Sequence, residues 1–296
     1  MKILISGATG FIGRFLLDAL LPKDHQIYAL VRSIPDRRLG PDIIQLTCST
    51  LNALDEQIDV FINLAGENIA SRPWTEKRKK ALFDSRVLLT NTIHKAFRYP
   101  PKCVISMSAV GFYGVAREDI FNEETPPKSG FSHELCAAWE EAAMAFSRAE
   151  TRVTVLRLGV VLGVGGALEK MRLPFLCGLG GPIADGKQWF PWVHIDDVIK
   201  AIMLAMTDQA YAGAYNLVAP EQIQQKHFAK CFAAALKRPA LLTTPKWALA
   251  LIFGEMASLL TQGARVIPQR LEEQGFKFTF KQIDKALLDI EKRHSI

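Results

Sequence analysis

The chain alternates between short, mainly apolar runs and longer segments in which apolar residues recur every three or four positions. The short runs occupy residues 2–6, 25–32, 43–48, 59–64, 103–107 and 151–159. Runs of this kind are typical of strands buried on both faces of a parallel sheet. The segments at residues 14–21 and 74–97 have helical spacing instead. The pattern therefore predicts a doubly wound parallel α/β sheet, with helices on both faces.

Beyond residue 160 the pattern changes. Residues 160–190 are rich in glycine and apolar residues, which predicts loops that can approach a ligand closely. A helix is expected from about residue 194, with Asp196 or Asp197 as its N-cap. Further helical patterns lie at residues 227–236, 247–260 and 282–290. The C-terminal part is therefore expected to be mainly helical.

A glycine-studded turn directly follows the first predicted strand. Residues 7–13 read GATGFIG and lead into the first helical segment. The first glycine permits a tight turn, the second lets the backbone approach a pyrophosphate, and the third lets the helix pack closely on the strand. Free N–H groups at the helix start would face the phosphates. This context predicts a dinucleotide site; a glycine-rich turn without a ligand is the alternative.

The second predicted strand ends in a cation. Arg32 is followed by Ser33, with Arg37 and Arg38 close behind and no acidic residue at the strand end. An acidic side chain at this point would bind the ribose 2′-hydroxyl of NAD. A guanidinium can instead hold the 2′-phosphate of NADP with two parallel hydrogen bonds. We therefore expect NADP(H) as the coenzyme; a surface arginine is the alternative.

These segments should meet in one crevice, because ligands of such sheets lie beyond the carboxyl ends of the strands. The expected coenzyme contacts are Gly7, Thr9, Gly10, Phe11, Ile12, Gly13, Arg32, Ser33, Leu64, Ala65 and Gly66. Residues 1–165 are then expected to form the dinucleotide-binding domain, with 191–220 returning to it. Residues 166–190 and 221–296 would form a smaller substrate lobe and C-terminal segment.

The motifs resemble those of extended short-chain dehydrogenases/reductases, the superfamily of nucleotide-sugar epimerases and dehydratases. The resemblance is carried by GATGFIG at 7–13, NLAG at 63–66, Ser-Ala at 108–109 and WVHIDDV at 192–198. More narrowly, the whole chain is similar to the atypical epimerase family of the 39U type. That similarity is carried by GLGGP at 178–182 and by segments of the family's C-terminal domain of unknown function, at 254–255, 268–271 and 275–276.

The superfamily's proton-transfer pair is missing. The resemblance implies a serine that holds the substrate oxygen, and Ser108 fits it. It also implies a Tyr-x-x-x-Lys pair on the next helix, in which lysine makes the phenol a better proton donor and acceptor near neutral pH. The positions of that pair fall on Ser132 and Cys136 or, one register later, on His133 and Ala137. Neither register contains tyrosine or lysine.

Two residues are candidates to replace the missing pair. His133 stands at the start of the relevant helix, where the dipole disfavours a protonated ring, so it would act as a base. Tyr113 is the second candidate. A backbone hydrogen bond is the structural alternative for His133, and a place beside the substrate pocket is the alternative for Tyr113. The resemblance thus implies an atypical NADP(H)-dependent oxidoreductase or epimerase-like protein; an NADP(H)-binding sensor or scaffold without turnover is the alternative.

Composition limits the partners. The 296-residue chain is 49% hydrophobic and 22% charged, as in ordinary globular proteins. Its net charge is +6, but the basic cluster at 77–80 lies in a predicted helix. A solvated helix face is therefore preferred to a nucleic-acid or membrane patch. The expected partner is a small-molecule substrate, with a nucleotide sugar as one candidate, and a homodimer is a further candidate.

Cysteine usage and the chain start suggest a compartment. The five cysteines are scattered, without metal-ligand spacing, so no metal site is expected and reduced thiols in the cytoplasm fit best. The first strand begins at Lys2, which leaves no room for a signal peptide before it. The apolar stretch at 247–260 is shorter than a membrane span requires.

Overall fold

The computed structural model describes residues 1–115 and 119–294. Its strands are β1 (Lys2–Ser6), β2 (Gln26–Leu30), β3 (Ile43–Leu46), β4 (Val60–Asn63), β5 (Cys103–Ala109), β6 (Ile120–Phe121), β7 (Arg152–Leu158), β8 (Val160–Leu162), β9 (Trp192–His194), β10 (Gly213–Leu217) and β11 (Arg265–Val266). Its helices are α1 (Phe11–Leu20), α2 (Cys48–Asn52), α3 (Glu76–Phe83), α4 (Leu89–Ala96), α5 (Phe131–Met144), α6 (Gly166–Leu176), α7 (Ile195–Thr207), α8 (Gln225–Ala235), α9 (Lys246–Phe253), α10 (Ala257–Thr261), α11 (Gln269–Glu273) and α12 (Ile283–His294).

Seven strands form the main sheet, in the order β10–β7–β5–β4–β1–β2–β3. Every neighbouring pair in it is parallel. The chain starts at β1, winds outward to β3, and then crosses back to build the other half from β4. This confirms the predicted doubly wound sheet. The carboxyl ends of β1 and β4 lie side by side, with Ser6 opposite Asn63, which is where ligands bind in such sheets.

The sheet is buried on both faces. Ile3 and Ile5 of β1 belong to one apolar core, which includes residues of α1 and α7. Leu4, between them, belongs to a second core with Phe61 and Ile93 on the opposite face. Successive side chains of a strand point to opposite faces, so an unbroken apolar run is what two covered faces require.

The C-terminal part is mainly helical, as predicted, and has its own core. Phe175 of α6, Phe232 of α8 and Leu287 of α12 are buried together. No helix within 1–115 or 119–294 has the length and apolar character that crossing a membrane demands.

The prediction of loops throughout residues 160–190 was wrong. β8 pairs with β9, and α6 has 11 residues. Gly165 and Gly166 precede or begin α6 with φ of 96° and 61°. A Cβ on Gly166 would lie 3.0 Å from the ring of Phe11. These glycines thus serve the turn into the helix and its close packing on α1, rather than a long loop.

The long helix predicted at residues 74–97 is present but contains an irregular turn. The side chain of Thr75 caps α3, and a π-helical turn, Asp84–Leu88, joins α3 to α4. The basic cluster on α3 faces carboxylates. Arg78 pairs with Glu67, Lys79 lies 2.6 Å from Glu255, and Lys80 lies 2.7 Å from Asp84. These pairs support a solvated helix face over a nucleic-acid surface.

The start of α7 differs from the prediction that Asp196 or Asp197 caps it. The ring Nδ1 of His194 accepts a hydrogen bond from the Asp196 backbone N–H at 3.1 Å, so His194 is the N-cap. Asp197 is fully buried. Its carboxylate accepts from the backbone N–H groups of Thr279 at 2.6 Å and Phe280 at 3.0 Å. Asp197 therefore ties the C-terminal segment to α7.

The buried ring of His194 lies among charges. Its Nε2 is 3.4 Å from Asp289, and Asp196 lies on its other side. The guanidinium of Arg293 pairs with both carboxylates, at 2.6 and 2.7 Å. The side chains of His194, Asp196 and Asp289 lie close enough together to hold a metal cation, but the guanidinium of Arg293 already provides the positive charge there. Burial lowers the pKa of His194, although the two carboxylates oppose that effect.

We expect His194 to make folding pH-dependent. The unfolded ring, with an ordinary pKa of 6.5, takes up a proton as the pH falls through that value, whereas the folded ring stays neutral to a lower pH. The unfolded state then binds more protons, so stability is full at higher pH and is lost as the pH falls below the unfolded pKa. One proton changes the free energy of unfolding by at most about 1.4 kcal/mol per pH unit. His194→Asn, which keeps an oxygen for the N-cap, should reduce that slope in urea unfolding between about pH 7 and about pH 5. Equal slopes in the two proteins would contradict this.

Candidate functional site

The glycine turn has no room for a Cβ at Gly7 or at Gly13. Gly7 has φ +73°, and a Cβ there would lie 2.8 Å from the carbonyl carbon of Leu64. A Cβ on Gly13 would lie 2.4 Å from the carbonyl oxygen of Gly7 and 2.5 Å from that of Ala8. The turn, the first helical residues and the end of β4 are therefore in backbone contact. Only glycine permits this at both positions.

The start of α1 is open to an anion. Gly10 is its N-cap and offers no side chain, and the first turn of the helix contains no acidic residue. The first N–H groups of a helix have no partner within it and carry partial positive charge. Thr9 and Gly10 are at least partly exposed at this point, whereas Gly13 is buried. The geometry thus suits a phosphate group.

A buried hydrogen-bond network fixes the neighbouring strand ends. Ser6 Oγ donates to Asn63 Oδ1 at 2.7 Å, and Asn63 Nδ2 donates to Thr90 Oγ1 at 2.9 Å. The backbone N–H of Ala65 donates back to Ser6 Oγ at 3.3 Å. The segment from Leu64 to Gly66 is thereby held beside the glycine turn, as predicted from the sequence.

Arg32 is an exposed cation that follows the end of β2. Arg38 is bound to Asp36 through Nε at 2.9 Å and Nη2 at 2.5 Å, and these bonds lower the pKa of Asp36 to about 2. Arg32 and Ser33 are exposed. Within the described ranges, Arg32 makes no hydrogen bond or ion pair. Its position is that of a residue free to bind a ligand.

Ser108 lies at the end of β5 and is part of a buried ionic network. Its hydroxyl donates to Glu140 Oε1 at 2.6 Å. Arg157 donates to both oxygens of Glu140, from Nε at 2.9 Å and from Nη2 at 2.8 Å. The Glu140 and Arg157 side chains are only 11% and 6% exposed. In this arrangement the hydroxyl of Ser108 donates to Glu140, and its oxygen can also accept a hydrogen bond.

Tyr113 does not occupy the place of a proton donor. It is fully buried. Its hydroxyl donates to Asn216 Oδ1 at 2.8 Å and accepts from Arg157 Nη1 at 2.9 Å. Burial also raises the pKa of its phenol. The geometry therefore gives no support to Tyr113 as a catalytic residue. Its hydroxyl belongs to the buried hydrogen-bond network of Arg157 and Asn216.

His133 lies in the first turn of α5. It makes a backbone hydrogen bond, which is the structural alternative to a catalytic role. Its Nδ1 is 2.7 Å from the carbonyl oxygen of Phe112. A carbonyl can only accept, so Nδ1 carries the hydrogen and Nε2 of the neutral ring is an acceptor. The ring is partly exposed. The same bond that anchors His133 thus leaves it able to accept a proton.

The position of the expected lysine holds Cys136, which is buried. Burial, reinforced by Glu140, raises the pKa of its thiol to about 11, so it stays protonated and uncharged near neutral pH. Sequence reasoning missed a different cation in this region, Arg86, whose guanidinium lies against Gly66. It also did not foresee that Glu140 and Arg157 form one unit, since a single sequence gives no sign of which charges pair.

The fold and crevice are those of a dinucleotide-binding protein of the short-chain dehydrogenase/reductase type. The chain belongs to the NAD dependent epimerase/dehydratase family, whose model matches residues 3–217. A domain of unknown function, DUF1731, matches residues 244–290. Both parts of the resemblance inferred from the sequence are thereby confirmed.

Similar proteins come from bacteria and animals. Epimerase family protein YfhF of Bacillus subtilis is 34% identical over 296 residues, which is 97% of this chain and 97% of that protein. The crystal structure of human epimerase family protein SDR39U1, isoform 2, with NADPH is 35% identical, with a TM-score of 0.89 and 99% of each chain covered. A nucleoside-diphosphate sugar epimerase from Corynebacterium glutamicum is 28% identical, with a TM-score of 0.78, covering 98% of this chain and 58% of that one.

We expect Glu140→Gln to be strongly destabilising. The change leaves the buried guanidinium of Arg157 without its counter-charge, and removing one partner of a buried pair costs roughly 3–5 kcal/mol. Urea unfolding measures the loss. Glu141→Gln, the same change at the exposed neighbouring residue, is the control and should alter stability by less than about 0.5 kcal/mol. Similar effects of the two substitutions would show that the buried pair does not stabilise the fold.

Proposed function

We propose that the protein binds NADP(H) at the carboxyl ends of β1, β4 and β5 and exchanges a hydride with a small carbonyl or hydroxyl compound. The observation that carries this proposal is a glycine turn in close backbone contact with the end of β4, near an exposed guanidinium after β2 that makes no hydrogen bond or ion pair within residues 1–115 and 119–294. The NADPH in the human SDR39U1 structure supports the choice of coenzyme.

The residues present fit NADP(H). The N–H groups at the start of α1 would hold the pyrophosphate, and Arg32 with Ser33 would hold the 2′-phosphate. Residues 64–66 would lie along the coenzyme without obstructing it. When bound, NADP(H) supplies the hydride chemistry, and the chain supplies binding, orientation and electrostatics.

The substrate side would be built by Ser108 and His133. The hydroxyl of Ser108, which donates to Glu140 in this structure, would turn its proton to the substrate oxygen and so hold both the hydroxyl and the carbonyl form. His133 Nε2 would accept the proton that leaves the substrate when the hydroxyl is oxidised, and would return it in the reverse direction. Tyr113 has no part in this scheme.

The proposal includes the division of the chain. Residues 1–165 with 191–220 would bind the coenzyme, and 166–190 with 221–296 would form the substrate lobe. The core of α6, α8 and α12 supports a C-terminal lobe, and Leu162 and Trp192, which also belong to that core, join it to the coenzyme part. A nucleotide sugar is a candidate substrate, supported by the name of the similar Corynebacterium protein. The homodimer stays a prediction.

Two observations favour a second function, a sensor or scaffold that binds NADP(H) without turnover. Ser108 is only 2% exposed, and the Tyr-x-x-x-Lys pair is absent from α5. Addition of carbonyl compounds and nucleotide sugars to protein with bound NADPH distinguishes the two functions. Loss of NADPH absorbance supports the oxidoreductase, whereas persistent binding without oxidation supports the sensor.

We expect Arg32→Gln to weaken NADPH binding at least about tenfold, because charge-assisted hydrogen bonds to the 2′-phosphate are lost. Binding of NADH, which lacks that phosphate, should change less than about twofold. Calorimetric titration measures both affinities. Arg38→Gln is the matched control, because Arg38 is already engaged by Asp36. An unchanged ratio of NADPH to NADH affinity in Arg32→Gln would refute the assignment.

We expect His133→Gln to lower kcat at least about tenfold with a carbonyl substrate that oxidises NADPH, because the residue that would return a proton to the reduced carbonyl oxygen is removed. Tyr113→Phe is the comparison and should lower kcat less than about threefold, since the buried hydroxyl does not reach substrate. NADPH affinity should be unchanged in His133→Gln. Equal kcat in His133→Gln and the unsubstituted protein would remove His133 from the mechanism.

A further inference from the structure

A cation lies at the crevice on the opposite side from Arg32. Arg86 stands in the π-helical turn Asp84–Leu88. A Cβ on Gly66 would lie only 3.1 Å from its Cζ, so the guanidinium lies against the backbone that follows β4. In the sheet order, β4 and β2 flank β1 on opposite sides. Arg86 therefore belongs to the half of the crevice away from the 2′-phosphate position.

Neutral groups hold this guanidinium in place. Nη2 donates to the carbonyl oxygen of Glu67 at 2.8 Å, and Nη1 lies 3.3 Å from the carbonyl oxygen of Leu82 and 3.4 Å from Ser85 Oγ. The ring of Trp139 lies 5.2 Å from its Cζ. A guanidinium has more N–H donors than these bonds use. The side chain is thus fixed but still has donors to offer.

No carboxylate forms an ion pair with Arg86 in the part of the chain that the structure describes, although the carboxylate of Glu67 attracts its charge without contacting it. The side chain of Glu67, in the loop that Arg86 contacts, pairs with Arg78. Asp84, in the same turn as Arg86, pairs with Lys80. Glu140 on the facing helix is occupied by Arg157. A partly buried charge without a counter-charge is costly. The arrangement is therefore suited to an anion supplied by a ligand.

Arg86 and Ser108 both interact with one buried thiol. The thiol of Cys136 interacts with the Ser108 hydroxyl and the Ala109 backbone, and with the charge of Arg86. Because it stays protonated, it does not serve as the counter-ion. A ligand held by the Ser108 oxygen would therefore have a fixed positive charge nearby.

We propose that Arg86 binds an anionic group of the substrate, a carboxylate or a phosphate, while Ser108 holds the substrate oxygen. The inference rests on the proposed function, because the phosphates of NADP(H) are there assigned to the start of α1 and to Arg32. A planar guanidinium fork matches the oxygens of either anion. The substrate class is then a carbonyl or hydroxyl compound with an acidic group close to the reacting carbon.

The test is calorimetric titration of protein saturated with NADP⁺. The probes are oxamate, which has a carboxylate, its neutral analogue oxamide, and inorganic phosphate. We expect at least one anion to bind and oxamide not to bind. Arg86→Gln should weaken that anion at least about tenfold. Arg78→Gln removes an arginine that contacts the same loop but is paired, so it should change anion affinity less than about twofold.

The outcomes distinguish failure of the Arg86 anion site from failure of the proposed NADP(H)-dependent function. Binding of oxamate alone identifies a carboxylate site, and binding of phosphate alone identifies a phosphate site. Failure of both anions to bind, equal affinity in Arg86→Gln, or equal binding of oxamide overturns the role of Arg86 and leaves NADP(H) binding intact. If Arg86→Gln weakened NADPH binding as much as it weakened anion binding, Arg86 would have a structural role, and this result would also overturn the proposed anion site. Absence of NADPH binding to the unsubstituted protein refutes the proposed function itself.

Discussion

The backbone contact between the glycine turn and the end of β4 is the constraint on which the rest of the site depends. Gly7 approaches Leu64, and Gly13 approaches the carbonyl oxygens of Gly7 and Ala8, at distances that exclude a Cβ. This contact brings the start of α1 over the strand ends, so that its N–H groups and residues 64–66 face the same crevice. The Ser6–Asn63 hydrogen bond then holds the two strand ends in register.

The region of the crevice around Ser108 is organised around a buried ion pair rather than a tyrosine–lysine pair. Arg157 and Glu140 bind each other and also fix Tyr113 and Ser108. A tyrosine that could have been a proton donor becomes part of this support. Arg86, from the π-helical turn between α3 and α4, lies against Gly66 after β4. The chain therefore combines a glycine turn typical of dinucleotide binding with an ionic network around Ser108.

Much of the fold could be predicted because it depends on local pattern. Apolar runs such as residues 2–6 predict strands buried on both faces, and the spacing of Gly7, Gly10 and Gly13 predicts the turn. Residues 160–190 were misread because glycines that pack against Phe11 look like loop residues in sequence. The pairing of Glu140 with Arg157 and the approach of Arg86 to Gly66 depend on tertiary contacts between distant segments, which no local pattern specifies.

The most direct test of this account is calorimetric titration of the unsubstituted protein with NADPH and, separately, with NADH. The account requires a single NADPH site and an affinity for NADPH at least about tenfold higher than for NADH, since only NADPH carries the phosphate that Arg32 would hold. No heat of binding with either coenzyme, or equal affinities for the two, would contradict it.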